Sequence, residues 1–366
     1  MQWATPFWRR AAVLAAMLAG LLLGAGAGAA AVAPYPVVRP GMVLRFPADH
    51  GAHPAFRTEW WYVTGWLKTA DGHDLGFQVT FFRTRPPVDL ANPSRFAPRQ
   101  VLFAHVALSD AGSAALLHGE RTARQGFGLA NARVGDADVA IRDWRLQRTA
   151  NGQWQTRIAT DGFALTLDMQ PTQPPLPQGA GGYSRKGPLP EQASYYYSIP
   201  QLRVSGSVRR GNATVAVTGT AWLDREWSSQ YLAPDAQGWD WTGINFDDGS
   251  ALMAFRMRAK AGGTLWAGGA LRRADGTMTV LGPGDVTFRP LATWRSAATG
   301  GVYPVRQEIS IRTPAGVTRW TLDPMFAAQE IDSRRSGLPV YWEGAVRTRG
   351  GRGYLELTGY DRPLTM

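Results

Sequence analysis

"DLGFQVTFFR", residues 74–83, alternates: Phe77, Val79 and Phe81 fall on one face of an extended chain, and Gln78 and Thr80 on the other. Successive side chains of an extended backbone project to opposite sides, so a period of two predicts a strand. "FALTLDM", residues 163–169, repeats the pattern, with Phe163, Leu165, Leu167 and Met169 against Ala164, Thr166 and Asp168. Asp-Gly or Asn-Gly pairs stand between apolar segments at 71–72, 151–152, 248–249 and 275–276. These pairs accept the positive φ angles that tight hairpin turns require. After the N-terminus no stretch holds a helical period for three turns. The chain reads as all-β.

Composition sets the outer limits. A chain of 366 residues is long enough for two domains with cores of their own. Its apolar fraction of 45 % is that of a folded protein, and 42 glycines with 25 prolines favour many short elements joined by turns. There are no cysteines, which excludes disulfides, thiolate metal sites, a lipid-modified cysteine and a cysteine nucleophile. The formal charge of +11 rests on arginine, since only Lys68, Lys186 and Lys260 of the 39 basic residues are lysines. The arginines are scattered and form no basic run. A solvated basic surface accounts for them, and no nucleic-acid partner is expected.

"MQWATPFWRR" opens the chain with Arg9 and Arg10 and runs into the small, apolar stretch "AAVLAAMLAGLLLGAGAGAAAVA". A positive segment, an apolar segment and an Ala-x-Ala site near 29–31 predict a signal peptide over residues 1–31 and a periplasmic or secreted product. The stretch is also long enough to span a bilayer if uncleaved, so contact with a membrane is expected to be transient or through that segment alone.

The Pro/Gly-rich stretch "PTQPPLPQGAGGYSRKGPLP", residues 171–190, is the obvious linker by composition. Strand counting favours a later division. A cut near residue 234 leaves about eight strands on each side, the number that closes a small barrel. A faint repeat points the same way: Trp-x-x-Thr-Gly, an Asp-Gly turn and an apolar strand follow both Trp61 and Trp239. We therefore expect a first barrel over 35–233, with 171–190 as a long loop within it, and a second over 234–366.

Fifteen tryptophans is a high count for a chain of this length, and four of them crowd "WLDREWSS", residues 222–229, and "GWDW", residues 238–241. Ionisable side chains set among tryptophans are either paired within a core or kept in an apolar site for chemistry. On an extended chain Trp222, Asp224 and Glu226 share one face, and Leu223, Arg225 and Trp227 the other. Asp240 faces away from Trp239 and Trp241. A salt-bridge network closing a barrel end is the alternative to a ligand site.

Longer motifs carry a resemblance. "TEWWYVTGWL", "YYYSIPQLRVSG", "TGTAWLDREWSSQ", "GWDWTGINFDDGSALMAFRMR" and "YWEGAV…GYLELTGY" together resemble the AttH/CrtC family over roughly residues 58–360. That family includes the carotenoid 1,2-hydratases, also called hydroxyneurosporene synthases. The resemblance implies two tandem lipocalin-like barrels with an apolar ligand site in or between them. The hydratases carry a histidine soon after the Asp of the motif that reads "WLDREW" here, whereas this chain has Arg225. It therefore resembles the AttH-type branch, whose genes often neighbour an ABC-type permease, a possible partner.

Hydrating an unactivated alkene means protonating carbon, which needs a carboxylic acid neutral near neutral pH, aromatic faces for the cation and a held water. A carboxyl walled in by tryptophan has its pKa raised by desolvation, and an aromatic face stabilises a nearby cation by roughly 0.5–2 kcal/mol. Asp224 or Glu226 is the expected proton donor, with Tyr195 as a phenol that could hold a water. The ligand-binding set expected around them is Trp60, Trp61 and Tyr197, then Trp222, Arg225 and Trp227, then Trp239, Asp240 and Trp241, and finally Trp342 and Glu343. No cofactor and no metal are expected. His105, in the doubly apolar "VLFAHVAL", reads as a core histidine, and His50 and His53 lack the acids of a metal site. There is no Gly-x-Ser-x-Gly elbow and no phosphate-binding loop. Three functions remain open: an exported binder of an apolar or isoprenoid small molecule, a hydratase-like enzyme, and an attachment or surface protein associated with a transporter.

Overall fold

The computed structural model describes residues 34–89, 91–334 and 339–364. The expected signal peptide over 1–31 lies outside them. The compact body described below comprises residues 35–86 together with the chain from 98 onward.

The chain is all-β. The first sheet takes every strand up to Ala213–Ser228, and the second begins at Ala236–Phe246. In each sheet the first strand is flanked by the second and the last, the arrangement by which an up-and-down sheet rolls toward closure. Thr58–Thr69 pairs with Asp74–Thr84 and with Ala213–Ser228. Ala236–Phe246 pairs likewise with Ala251–Ala259 and with Gly351–Thr358. Every ladder is antiparallel, and each first hairpin turns at a glycine of positive φ, Gly72 and Gly249. The fold is that of two tandem lipocalin-like barrels.

The sheets contain thirteen and ten strands, not about eight each. The surplus comes from segments such as Ala130–Ala132, Leu176–Pro177 and Glu330–Asp332, which pair over two or three residues. Alternation cannot be read over so short a span. Leu176–Pro177 and Tyr183–Arg185 lay the 171–190 stretch back against Ala193–Arg210.

The three larger apolar clusters follow from side-chain parity. Trp61, Val63, Phe77, Val79, Leu223 and Trp227 fill the inside of the first sheet. Ile244, Leu252, Ala254 and Trp342 fill the inside of the second. The third cluster is built from the other faces of the same strands: Tyr62, Trp66, Tyr196 and Trp222 meet Trp241, Met253, Phe255 and Tyr354. Strands apolar on both faces are thus explained, because each sheet covers the other's outer surface. Each large side chain buried there contributes about 1.5–3 kcal/mol.

The Trp-x-x-Thr-Gly repeat is not a structural equivalence. Both copies lie on the first strand of their sheet, but Trp61 points into its own sheet and Trp239 belongs to the cluster between the sheets. A one-residue offset in register inverts every side chain of a strand.

Candidate functional site

A cavity of about 270 Å³ opens within the third cluster, between the two sheets. Register explains which side chains reach it. Tyr62 stands opposite Asp224, Trp60 opposite Glu226, and Tyr196 opposite Glu226 on the next strand. On the facing sheet Trp241 stands opposite both Phe255 and Glu356, and Glu343 opposite Glu356. These cross-strand neighbours share a face, so the cavity receives aromatic rings and carboxyl groups from both sides.

Asp224 is buried, and three donors hold it: the Tyr196 hydroxyl at 2.6 Å, the Ser198 hydroxyl at 2.5 Å and Trp222 Nε1 at 2.7 Å. Trp241 Nε1 donates to the Tyr196 hydroxyl at 3.1 Å, which leaves that phenol free to give its hydrogen to the carboxylate. Burial raises the Asp224 pKa, the three hydrogen bonds oppose the rise, and Glu226 adds to it; the result is about 7. No cation pairs with it among the ion pairs of the described residues. Asp224 is therefore a carboxyl that exchanges its proton near neutrality.

Glu226 behaves differently. It pairs with Lys186 at 3.1 Å and accepts from Ser194. Lys186 also donates to Ser184 at 3.1 Å and sits 4.5 Å over the Tyr196 ring and 4.3 Å over the Phe255 ring. The 171–190 stretch thus delivers a buried ammonium to the cavity wall.

The second sheet supplies Glu343 and Glu356. Tyr62 donates to Glu343 at 2.6 Å, and no protein atom pairs with the other Glu343 oxygen. Burial, helped by the charge of Glu356, holds the Glu343 pKa well above the usual carboxyl range. Burial likewise lifts Glu356 to about 7 against a hydrogen bond from Trp239. Three acids without a cation therefore border one cavity. His105 is also there, its ring nitrogen Nδ1 2.7 Å from the Tyr341 hydroxyl. Among the described residues no three ligating side chains are grouped to hold a metal ion.

Of the residues expected at the site, Asp224, Glu226, Trp60, Trp239, Trp241 and Glu343 line the cavity, and Trp222 braces Asp224 from behind. The others do not reach it. Arg225 points into the first sheet, where it pairs with Glu59 and lies 3.9 Å over Trp61 and 5.3 Å over Trp227. Tyr195 and Tyr197 share that interior, Tyr195 bonding the backbone of Arg39 and Tyr197 the His50 ring at 2.6 Å. Of the three consecutive tyrosines, Tyr196 is the one at the cavity, since it lies on the opposite face from its neighbours. Trp342 fills the second core. Asp240 is fully buried but paired with Arg256 at 2.7 Å and Arg258 at 3.0 Å, so it closes the second barrel as a salt-bridge network. In the charged tryptophan-rich stretches, Arg225 and Asp240 are thus paired within the cores, and Asp224 borders the cavity without an ion pair.

His105, Tyr62, Tyr341, Glu356 and Lys186 reach the cavity without having been expected there. The available signal was the pattern of strands apolar on both faces with isolated polar residues, Gln78, Thr80 and His105, on the outer one. Position 225 also loses its diagnostic weight. A side chain inside the first barrel neither supplies nor removes a cavity group.

The family model described as AttH-like matches residues 37–360. A crystal structure of an AttH candidate from Nitrosomonas europaea is similar at 53 % identity, covering 89 % of this chain and 99 % of that one, with a TM-score of 0.82. Kievitone hydratase from Nectria haematococca shares the fold at 13 % identity, covering 90 % of this chain and 97 % of its own, with a TM-score of 0.66. The protein CghA does so at 15 % identity, covering 91 % and 97 %, with a TM-score of 0.51. A search of curated protein sequences gives no significant match.

Proposed function

The chain belongs to the AttH-like family, and from that premise we propose that its cavity binds an apolar, isoprenoid-type small molecule and adds water across one carbon–carbon double bond, with Asp224 as proton donor. The observation that carries this reading is the state of Asp224: buried, without a cation, and titrating near neutrality beside an aromatic cavity. A carrier of apolar molecules needs only dry walls. Two buried carboxyl groups, Asp224 and Glu343, with no cation paired to either among the described residues, are a cost that binding alone does not require.

The residues divide the work as follows. The Asp224 carboxyl gives its proton to one alkene carbon, leaving a tertiary carbocation and a carboxylate. Tyr196, Ser198 and Trp222 are already aimed at that carboxylate, so its new charge meets donors that need no rearrangement. The faces of Trp60, Trp239, Trp241 and Phe82 supply apolar, electron-rich walls for the cation. Water oxygen then bonds to the cationic carbon, and its surplus proton returns to Asp224. A protein of the same fold carries the name hydratase, which is in keeping with this reaction class. Export through the expected signal peptide, and delivery of a molecule to an ABC-type permease, remain the second reading; a family resemblance supports it rather than an observation at the cavity.

Incubation with isoprenoid alkenes in ¹⁸O-labelled water, read by mass spectrometry, tests the proposal. We expect the wild type to place one labelled oxygen in the product and Asp224→Asn to bind the alkene without turning it over. Bound alkenes recovered unchanged from the wild type would overturn it.

A further inference from the structure

We propose that the cavity has a second, polar pole, made by Gln78, His105, Tyr341 and Glu343, which receives an oxygen-bearing group of the ligand, so that the molecule bound is an isoprenoid-type alcohol or ketone and not a plain hydrocarbon. This rests on the cavity being the ligand site, as read above, but not on Asp224 acting as an acid.

Gln78 Oε1, His105 Nε2 and one carboxyl oxygen of Glu343 are buried polar atoms with no hydrogen-bond partner among the described residues. Each parent residue is at most 1 % exposed, and all three line the same cavity. Burying such a group without a partner is unfavourable, and native structures carry few of them. Three at one cavity call for a complementary group that the protein itself does not provide.

Their hydrogen-bonding capacities differ in a defined way. Gln78 Nε2 donates to Thr80 at 2.9 Å and to the Tyr341 hydroxyl at 3.2 Å, which leaves Oε1 as an acceptor. The Tyr341 hydroxyl, which accepts from Gln78, lies 2.7 Å from His105 Nδ1, and one arrangement of this contact has the phenol donating to that nitrogen. The remaining ring hydrogen then sits on Nε2, which becomes a donor. Glu343 accepts from Tyr62 on one oxygen, and its other oxygen is buried without a partner among the described residues. One acceptor, one donor and one carboxyl suit a hydroxyl, which both gives and takes a hydrogen bond, and a carbonyl through the donors alone. An alkane or alkene end satisfies none of them.

The pole is distinct from Asp224, whose oxygens already meet Tyr196, Ser198 and Trp222. It also sits on other strands. Gln78 and His105 belong to Asp74–Thr84 and Val101–Asp110, and Tyr341 and Glu343 to Val340–Thr348.

Quenching of the cavity tryptophans measures binding of matched probes: geraniol, farnesol and geranylacetone against the hydrocarbons myrcene and farnesene. We expect the oxygenated probes to bind at least about tenfold tighter than the hydrocarbons, because a site with unpaired buried polar groups rejects an analogue that cannot pair them. His105→Phe should bring the two classes to within about threefold of each other, with hydrocarbon affinity unchanged or improved. Gln78→Met provides the same readout if His105→Phe does not fold, and Asp224→Asn should leave the ratio as in the wild type. Equal affinities in the wild type, failure of every oxygenated probe to bind, or an unchanged ratio in the folded pole variant would each overturn the inference. Loss of turnover with an intact ratio would tell against the reaction and not against the pole.

Discussion

Asp224 and Arg225 are bonded neighbours whose side chains end in separate compartments: the carboxyl borders the cavity between the sheets, and the guanidinium is sealed inside the first barrel. The pair never forms an ion pair. A strand that reverses its side chains at each residue keeps the acid free of the base beside it in sequence. That separation lets Asp224 hold a proton near neutrality while Arg225 stabilises Glu59.

Stability should fall as pH rises from about 6.5 to 8. Burial lifts Asp224 and Glu356 to about 7 and Glu343 well above the usual range, so in this interval the folded chain binds more protons than the unfolded one. The slope of unfolding free energy against pH is then negative. Below about 6.5 the trend is opposed, because burial pushes His50 and His105 down to about 3, and those imidazoles bind protons only on unfolding. Thermal melts across pH 6–8.5 should show the decline, on the order of 1 kcal/mol per pH unit. Asp224→Asn should make it shallower, with Glu343 and Glu356 keeping the rest of the slope. A melting temperature that rises through this interval would contradict the assignment.

Arg225→Met should destabilise the fold and leave the cavity chemistry alone. Besides Glu59, Arg225 donates to the backbone oxygens of His50 at 3.3 Å, Trp60 at 3.2 Å and Gly51. Burial alone would raise the Glu59 pKa, but Arg225 and Arg83 override it and hold the carboxylate far below its usual range. Removing one partner of such a pair costs about 3–5 kcal/mol, or roughly 5–15 °C in melting temperature. Calorimetry of Arg225→Met beside Asp224→Asn, which should stay within a few degrees of the wild type, separates the two roles.

The Lys186–Glu226 pair should show coupling. Both groups are buried, at 8 % and 6 % side-chain exposure, so breaking the pair from either side strands a charge. Lys186→Met and Glu226→Gln should each lose stability, and the double variant should lose less than their sum by about 1–3 kcal/mol. Urea denaturation of the four proteins checks it; strict additivity would mean that the pair is not formed.

Protein recovered from the producing cell should begin near residue 32, after loss of the segment carrying Arg9 and Arg10. N-terminal sequencing decides this. An intact Met1 would refute cleavage.

Parity explains what was legible and what was not. The two-residue period in 222–227 correctly groups Trp222 with Asp224 and Glu226, and Leu223 with Arg225 and Trp227, as the clusters show. It cannot say which group faces a barrel interior and which faces the cavity, because both are apolar. Trp60 and Trp61 were therefore both expected at the ligand, and only Trp60 arrives. The same ambiguity placed Tyr195 and Tyr197 at the site in place of Tyr196. His105, Tyr341 and Glu356 were hidden for another reason. Their contacts join strands far apart in sequence, such as His105 with Tyr341, and a local pattern carries no trace of them. The strand hydrogen bonds of 58–84 and 236–259, by contrast, are set by neighbours a hairpin apart, which is why the all-β architecture could be read directly.

The cavity takes the proton-exchanging Asp224 from one barrel and the oxygen-seeking Glu343 from the other, with the chain crossing between them only once, over residues 229–235. Under the proposed reading both halves take part in reaction and selection alike: Gln78 and His105 of the polar pole lie in the first half with Asp224, and Tyr341 and Glu343 in the second with Trp239 and Trp241. Substitutions at Phe255, Met257 or Glu343 can alter which molecule is accepted without disturbing the three donors around Asp224, all of which lie on strands of the first half.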